Sequence, residues 1–152
     1  MIDRLMEFLE IDAETRASAA ALSDLLSPHF DNAIEEFYRG VQRSKINEHV
    51  TDASIPLLKK KQRAHWLALF HSRFDDDYFT GISRIGVRHR DIDLNPMWYV
   101  AGYTRLKLAF VEVILKSDLH VVTKGQFVKT LDKYIAVDMA LALSAYDAVI
   151  LD

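Results

Sequence analysis

Apolar residues recur at three- and four-residue spacing through most of the chain, and no stretch reads as a strand, so the pattern predicts an all-helical protein. Polar caps mark where the helices begin. Asp12 caps a first helix that runs to about Leu26. Ser27-Pro28 restarts the chain, with Ser as cap and Pro in the first helical position, and that helix reaches about Arg43. Residues 44 to 53 are polar and read as a loop. Ser54, with Pro56 in the first turn, opens a helix to about Ser72. The acids Asp75, Asp76 and Asp77 suit the N-terminus of the next, which ends near Arg90. Asn95-Pro96 is another cap-plus-proline start, for a helix to about Lys116. Thr123 with Gln126 has the spacing of a capping box for a last helix that reaches the C-terminus.

The last two helices carry more apolar surface than one core needs. Between Pro96 and Lys116, the charges Arg105, Glu112 and Lys116 share one narrow stripe. From Tyr134 onward the final helix is apolar almost all round. Helices of this kind are buried on more than one side. The pattern therefore predicts a homodimer through the last two helices.

With 152 residues, half of them hydrophobic, the chain suits a single domain over 1–152, in which 1–11 form an N-terminal extension. The net charge of -3 gives no basic field to attract nucleic acid. The absence of cysteine excludes disulfides, thiolate metal sites and cysteine nucleophiles, and is compatible with a cytoplasmic location. The N-terminus has acids where a signal peptide would be basic. The most apolar stretch, 135–151, is interrupted by Asp138, Ser144 and Asp147, so it reads as a buried helix and no membrane span is expected. No Glu-x-x-His pair, phosphate-binding glycine loop, Gly-x-Ser-x-Gly elbow or His-Glu-x-x-His motif occurs, so neither hydrolysis nor phosphoryl transfer is indicated.

One apolar stripe holds an imidazole. Ile82, Ile85, His89 and Ile92 recur at helical spacing. A lone His in such a stripe is ordinarily a satisfied core residue, but a neutral imidazole in an apolar pocket is also the usual ligand of haem iron. The surrounding segment RIGVRHRDIDLNPMWYVAGY, residues 84–103, resembles the proximal segment of globin-coupled sensors. The features that carry the likeness are Ile85-Gly86, His89, Pro96, Trp98-Tyr99 and Gly102-Tyr103. It extends upstream through Phe37-Tyr38, Gln62, His65-Trp66, Phe70 and Asp77-Tyr78, and downstream through Asp138-Met139 and Ala145-Tyr146, covering roughly residues 12–150.

The resemblance implies a globin fold of the sensor type, with helices A, B, C, E, F, G and H and no D helix. It implies one haem b held by His89 as the proximal iron ligand, in a pocket that includes Ile85, Phe37 and Leu58. Tyr99 would lie behind His89 and hydrogen-bond its other nitrogen, fixing the ring. The alternative for Tyr99 is an ordinary core aromatic. Tyr38 matches the distal tyrosine, whose phenol donates to dioxygen more strongly than to the less polarised carbon monoxide. Its alternative is a core Tyr bonded to a backbone carbonyl.

The distal helix departs from the family. At about 100° per residue, Leu57, Leu58, Ala64, His65, Ala68 and Leu69 fall on one face, with Lys61 in its middle. Lys59, Lys60 and Arg63 point the other way. Lys61 stands where the family often has a small or mildly polar residue. Two roles are open: a neutral amine acting as a distal iron ligand or as a donor to a bound gas, or a stem crossing the haem edge with its charge on a propionate or in water. His65 is a weaker distal candidate. His29, His49, His71 and His120 read as surface residues.

The resemblance implies a haem-based sensor of dioxygen or another diatomic gas rather than an enzyme, passing its ligand state to a C-terminal output module such as a diguanylate cyclase, histidine kinase or chemotaxis transducer. Two rivals stand beside it. One is a globin enzyme, such as a nitric oxide dioxygenase or a peroxidase. The other is a haem-free globin-like scaffold that binds proteins.

Overall fold

Three of the predicted caps act as helix starts, and each hydrogen bond is visible. Asp12 accepts from the Thr15 N–H at 2.8 Å, Asp75 from the Tyr78 N–H at 3.0 Å, and Asn95 from the Met97 N–H at 2.9 Å. In a computed structural model these open helices α2 (Ala13–Leu26), α5 (Asp76–Asp91) and α6 (Pro96–Lys116). The other helices are α1 (Ile2–Phe8), α3 (Phe30–Ser44), α4 (Ile55–Phe70) and α7 (Val121–Ile150). The structure describes residues 2–44 and 50–150, without the side chains of 147–150. Among the described residues there is no strand, and no helix is long and apolar enough to cross a membrane.

Three predicted starts differ. Ser27 is not a cap: its own backbone is helical, and a 3-10 turn over Ser27–His29 carries the chain from α2 into α3 without a break. The Ser27 N–H bonds to Ser23 O and its carbonyl accepts from Phe30, so the backbone bonding runs through Ser27 and it does not stand at a helix start. Ser54 closes a turn with Thr51 instead of capping α4, its Oγ donating to Thr51 O at 2.8 Å. The last helix begins at Val121, where His120 Nδ1 accepts from the Val122 N–H at 3.1 Å, so Thr123 and Gln126 both lie inside the helix. His120 is thus exposed, as are His29 and His71, but it has a structural use; His49 lies outside the described residues.

The N-terminal extension is structured. Helix α1 buries Met6, and Ile11 follows it into the core. Glu10 takes a left-handed backbone (φ 56), and its carbonyl is held by Thr15 Oγ1 and Lys133 Nζ. The expected C helix and the absence of a D helix concern the stretch between α3 and α4, of which residues 45–49 lie outside the described residues.

The core is aromatic where α3, α4, α6 and α7 meet. Phe30, Trp66, Phe70, Phe110 and Tyr134 are fully buried, with ring centroids 5.4 Å apart for Trp66–Phe110 and 5.6 Å for Phe30–Phe110. Helix α7 runs along α5 and α6 and also touches α2 and α4. Its expected all-round burial is therefore met largely inside the chain: Tyr134, Ile135, Val137, Leu141, Ala142 and Tyr146 are all buried there. The apolar side left open belongs to α6 and the start of α7, where Met97, Leu108, Leu115, Val121 and Val122 are exposed.

The tightest helix contact fixes the position of α5. A Cβ on Gly86 would stand 2.2 Å from Ala142 O and 3.0 Å from Ala145 Cβ. Only glycine allows the backbones of α5 and α7 to come so close, and His89 lies one turn beyond it.

Candidate functional site

Helices α3, α4, α5 and α6 enclose a cleft of about 910 Å³, counted out to its open mouth. Phe37, Tyr38, Leu58, Lys61, Ile85, His89 and Tyr99, singled out in the sequence from four separate segments, all line it. So do Gln62, His65, Trp66, Arg88, Trp98 and Tyr103, among others. Their convergence follows from the helix periods. His89 and Ile85 share one face of α5, Leu58, Lys61, Gln62 and His65 share one edge of α4, and Tyr99 and Tyr103 share one face of α6.

His89 is partly buried, and its Nδ1 lies 2.7 Å from Ile85 O in the preceding turn. A carbonyl can only accept, so Nδ1 carries the proton and the Nε2 lone pair is left free. Burial holds the imidazole below its ordinary pKa. The bond to Ile85 works against that shift and the Arg88 charge adds to it. The ring is therefore neutral at pH 7. Tyr99 does not make the hydrogen bond to His89 that the resemblance implies. Its ring packs edge-on to the imidazole, with centroids 4.9 Å apart, while its hydroxyl pairs with that of Tyr103 at 3.2 Å. The carbonyl one turn back has taken the position at Nδ1.

Across the cleft, Tyr38 is buried, and burial raises its pKa despite a bond from Gln62, so it keeps its proton. Gln62 was passed over in the sequence except as part of the resemblance, yet it sets the polarity here. Trp66 Nε1–H donates to Gln62 Oε1 at 2.9 Å, which turns Gln62 Nε2 towards the Tyr38 hydroxyl at 3.4 Å. Tyr38 accepts that bond, and its own hydrogen remains available to an acceptor in the cleft.

The predicted inward face of α4 is rotated. Trp66, Leu69 and Phe70 are its buried residues near the core, while Leu57, Ala64 and Ala68 face out. The helix has apolar residues on both sides, so its periodicity alone does not fix the angle. Lys61 falls on the boundary, exposed yet lining the cleft. Its neighbours are committed elsewhere: Lys59 Nζ is 2.6 Å from Glu35, and Arg63 is 3.6 Å from Asp31.

His65 is engaged by a residue that the sequence marks as an interruption of an apolar helix and as part of the resemblance, without a role. Asp138, fully buried on α7, accepts from His65 Nε2 at 2.7 Å, from the Tyr78 hydroxyl at 2.7 Å and from the Tyr103 hydroxyl. The signal that could have found it is a lone acid amid Val137, Leu141 and Ala142 on an otherwise apolar helix. Burial alone would lower the His65 pKa, but the charge of Asp138 and its hydrogen bond outweigh burial and raise it. Asp138 is bonded to this ring and to the Tyr78 and Tyr103 hydroxyls, and the two tyrosines are held well above their ordinary range. A group with a raised folded-state pKa adds stability that is complete below its ordinary value of 6.5 and is lost as pH rises through the folded value. Urea unfolding of the wild type should therefore show stability falling with rising pH above 6.5. His65→Gln should lack that component, and parallel pH profiles for the two proteins would refute the ion pair.

Comparison with known proteins bears on this arrangement. The globin domain of a Geobacter sulfurreducens globin-coupled sensor matches with a TM-score of 0.82 over 95% of this chain and 96% of that one, at 14% identity. The ferric globin domain of Escherichia coli DosC matches with a TM-score of 0.76 over 95% and 98%, at 22% identity. The heme-based aerotactic transducer HemAT of Halobacterium salinarum is 25% identical over 112 residues, 72% of this chain. The aligned part is 23% of that relative's length. The helical arrangement is thus the globin fold seen in globin-coupled sensors, and the Protoglobin family model matches residues 1–149. The chain belongs to the Protoglobin family.

Proposed function

We propose that the chain is a haem-binding gas-sensor domain with dioxygen as its signal. The observation that carries this reading is the neutral His89 imidazole, with Nδ1 committed to Ile85 O and the Nε2 lone pair free in an apolar cleft. The residues present fit a haem. The cleft offers one good nitrogen ligand, a largely apolar lining from Phe37, Leu58, Ile85, Leu94 and Leu106, and two exposed cations, Lys61 and Arg88, able to meet carboxylates. When bound, haem b supplies an iron that takes up diatomic gases reversibly.

The protein's own residues do the rest. His89 holds the cofactor from α5. Ile85 O fixes the imidazole ring and its tautomer, and makes the ligand more basic. Tyr38 donates a hydrogen bond to a polarised acceptor in the cleft, oriented through Gln62 and Trp66, and so favours dioxygen over carbon monoxide. Lys61 serves the cofactor's edge, where its exposure lets the ammonium remain hydrated. A change at the cleft would bias the position of α5 through His89, and α6 and α7 would pass that bias on. The exposed apolar residues of α6 and the start of α7 would form the contact between two copies. The name of the Halobacterium salinarum relative, a transducer of which the aligned part is 23%, supports an output module in a longer protein; a kinase or cyclase would serve the same place.

The deciding experiment is an absorption spectrum of the purified protein, ferric and then reduced under carbon monoxide. A haem spectrum is expected, and a colourless protein that does not take up added haem would refute the reading and favour the haem-free scaffold. Within that series, Tyr38→Phe should speed dioxygen release by about 10-fold or more while changing carbon monoxide release little, as loss of one hydrogen bond worth about 1.5 kcal/mol requires. Lys61→Ala should leave the ferric and ferrous band positions unchanged. A shift in them would make the amine an iron ligand and displace the edge role. Sedimentation should give two chains per particle, and Leu108→Glu with Leu115→Glu should give one. A wild-type monomer at high concentration would end the dimer proposal.

A further inference from the structure

Asp138 is the strongest anomaly of the molecule outside the cleft. It is fully buried at the middle of α7, between Val137 and the Leu141–Ala142 pair, where an aliphatic residue would avoid the loss of hydration. Its carboxylate is nevertheless saturated. Oδ1 accepts from Tyr78 at the start of α5, and Oδ2 accepts from both Tyr103 of α6 and His65 of α4. One side chain therefore binds three other helices. Two of its three partners, His65 and Tyr103, line the cleft, on different walls.

We propose that Asp138 is a positioning residue that fastens both sides of the cleft to α7, holding His65 on one wall and, through Tyr103 and Tyr99, the aromatic backing of His89 on the other. The chain of contacts is continuous. Tyr103 donates to Asp138, its oxygen lies 3.2 Å from the Tyr99 oxygen, and the Tyr99 ring packs edge-on to the His89 imidazole. Tyr99 also packs on Tyr146 of α7, with centroids 5.6 Å apart, so its ring is held from two sides. Gly86 lets α5 lie directly on the Ala142 backbone, one turn along α7 from Asp138. Rotation or sliding of α5 against α7 therefore has to strain the Tyr78 bond, and movement of α6 or α4 against α7 has to strain the Tyr103 or His65 bond at the same carboxylate. Such a shared anchor gives the two walls a common response, whereas separate apolar contacts could slip independently. The tyrosines keep their protons at neutral pH, because burial and the neighbouring charge hold both phenols far above the ordinary range, so they remain donors there.

The inference rests on the proposed cofactor only for its first test. Asp138→Asn and Tyr103→Phe would be loaded with haem and compared with wild type by the iron–imidazole stretching frequency of the ferrous protein and by the rate of carbon monoxide rebinding. Leu22→Ala, a cavity in α2 away from the cleft, serves as a control for simple loss of stability. Both network variants should retain full haem content yet shift the stretching frequency, and should change the rebinding rate by about 3-fold or more. Leu22→Ala should lower the unfolding midpoint without moving either spectroscopic quantity. If Asp138→Asn does not fold, Tyr103→Phe alone decides.

A second test needs no cofactor. In nitrogen-15 spectra of the histidine side chains, the His65 Nε2–H should exchange slowly in wild type and Tyr103→Phe, and rapidly in Asp138→Asn or, if that variant does not fold, in Asp138→Glu. If the chain takes up no haem, the sensor reading fails while this second measurement still judges Asp138. Wild-type frequency and rebinding in both variants, an equal shift in Leu22→Ala, or unchanged His65 exchange would each overturn the proposal.

Discussion

Replacing His89 by alanine should strip the chain of stably bound haem. In the cleft His89 presents a free Nε2 lone pair, whereas Nε2 of His65 is taken by Asp138. Removing a group that merely supports a ligand typically costs about 10- to 100-fold in affinity, and removing the ligand itself should exceed that. Haem transfer to an acceptor protein should therefore accelerate by more than about 100-fold. Millimolar free imidazole should restore much of the absorption spectrum, since the space left by the ring remains apolar and enclosed by Ile85, Leu94 and Tyr99. Helix content should change little, because His89 is only partly buried and its one hydrogen bond lies within α5. Haem retained at the wild-type rate would mean that another side chain holds it, and Lys61 would be the first to test.

Gly86→Ala should have the second large effect, on stability before cofactor affinity. The added methyl would stand 2.2 Å from Ala142 O, and a backbone carbonyl inside a helix cannot rotate away as a side-chain tip can. Either α5 lifts off α7 or both helices bend. Overpacking of this kind costs about 1–3 kcal/mol, and the backbone obstacle puts this site at or above about 3 kcal/mol. Because His89 lies one turn beyond Gly86, the same displacement should also loosen haem. Gly81→Ala is the matched control. It sits in the same helix with open space around it, so alanine there should be neutral or slightly stabilising. Equal urea midpoints for the two variants would show that the α5–α7 contact is looser than described.

Much of the architecture is legible without coordinates because it is governed by local rules. Asp12, Asp75 and Asn95 cap as expected, since an acceptor beside free N–H groups needs only its own neighbours. Ser27, Ser54 and Thr123 are also residues that favour caps, at the expected places, but do not cap. In those places the chain is still turning, or another donor–acceptor pair has been made first, and the choice depends on how adjacent helices are placed. The angle of α4 belongs to the same class: with apolar residues on both faces, only packing against Phe110 and Tyr103 decides that Trp66 goes in and Leu57 stays out.

The candidate site divides in the same way. The sequence by itself determined that the protein is helical, that His89 lies in an apolar stripe, and which residues recur in a known order around it, because periodicity and motif are properties of the chain. Only the tertiary structure decided that Ile85 O rather than Tyr99 takes His89 Nδ1, that Gln62 turns Tyr38 into a donor, and that Asp138 gathers His65, Tyr78 and Tyr103. Those outcomes are competitions between a partner one helical turn away and partners on other helices. Each polar group takes the partner that packing leaves within reach, and no spacing along the chain encodes where the distant competitor is held.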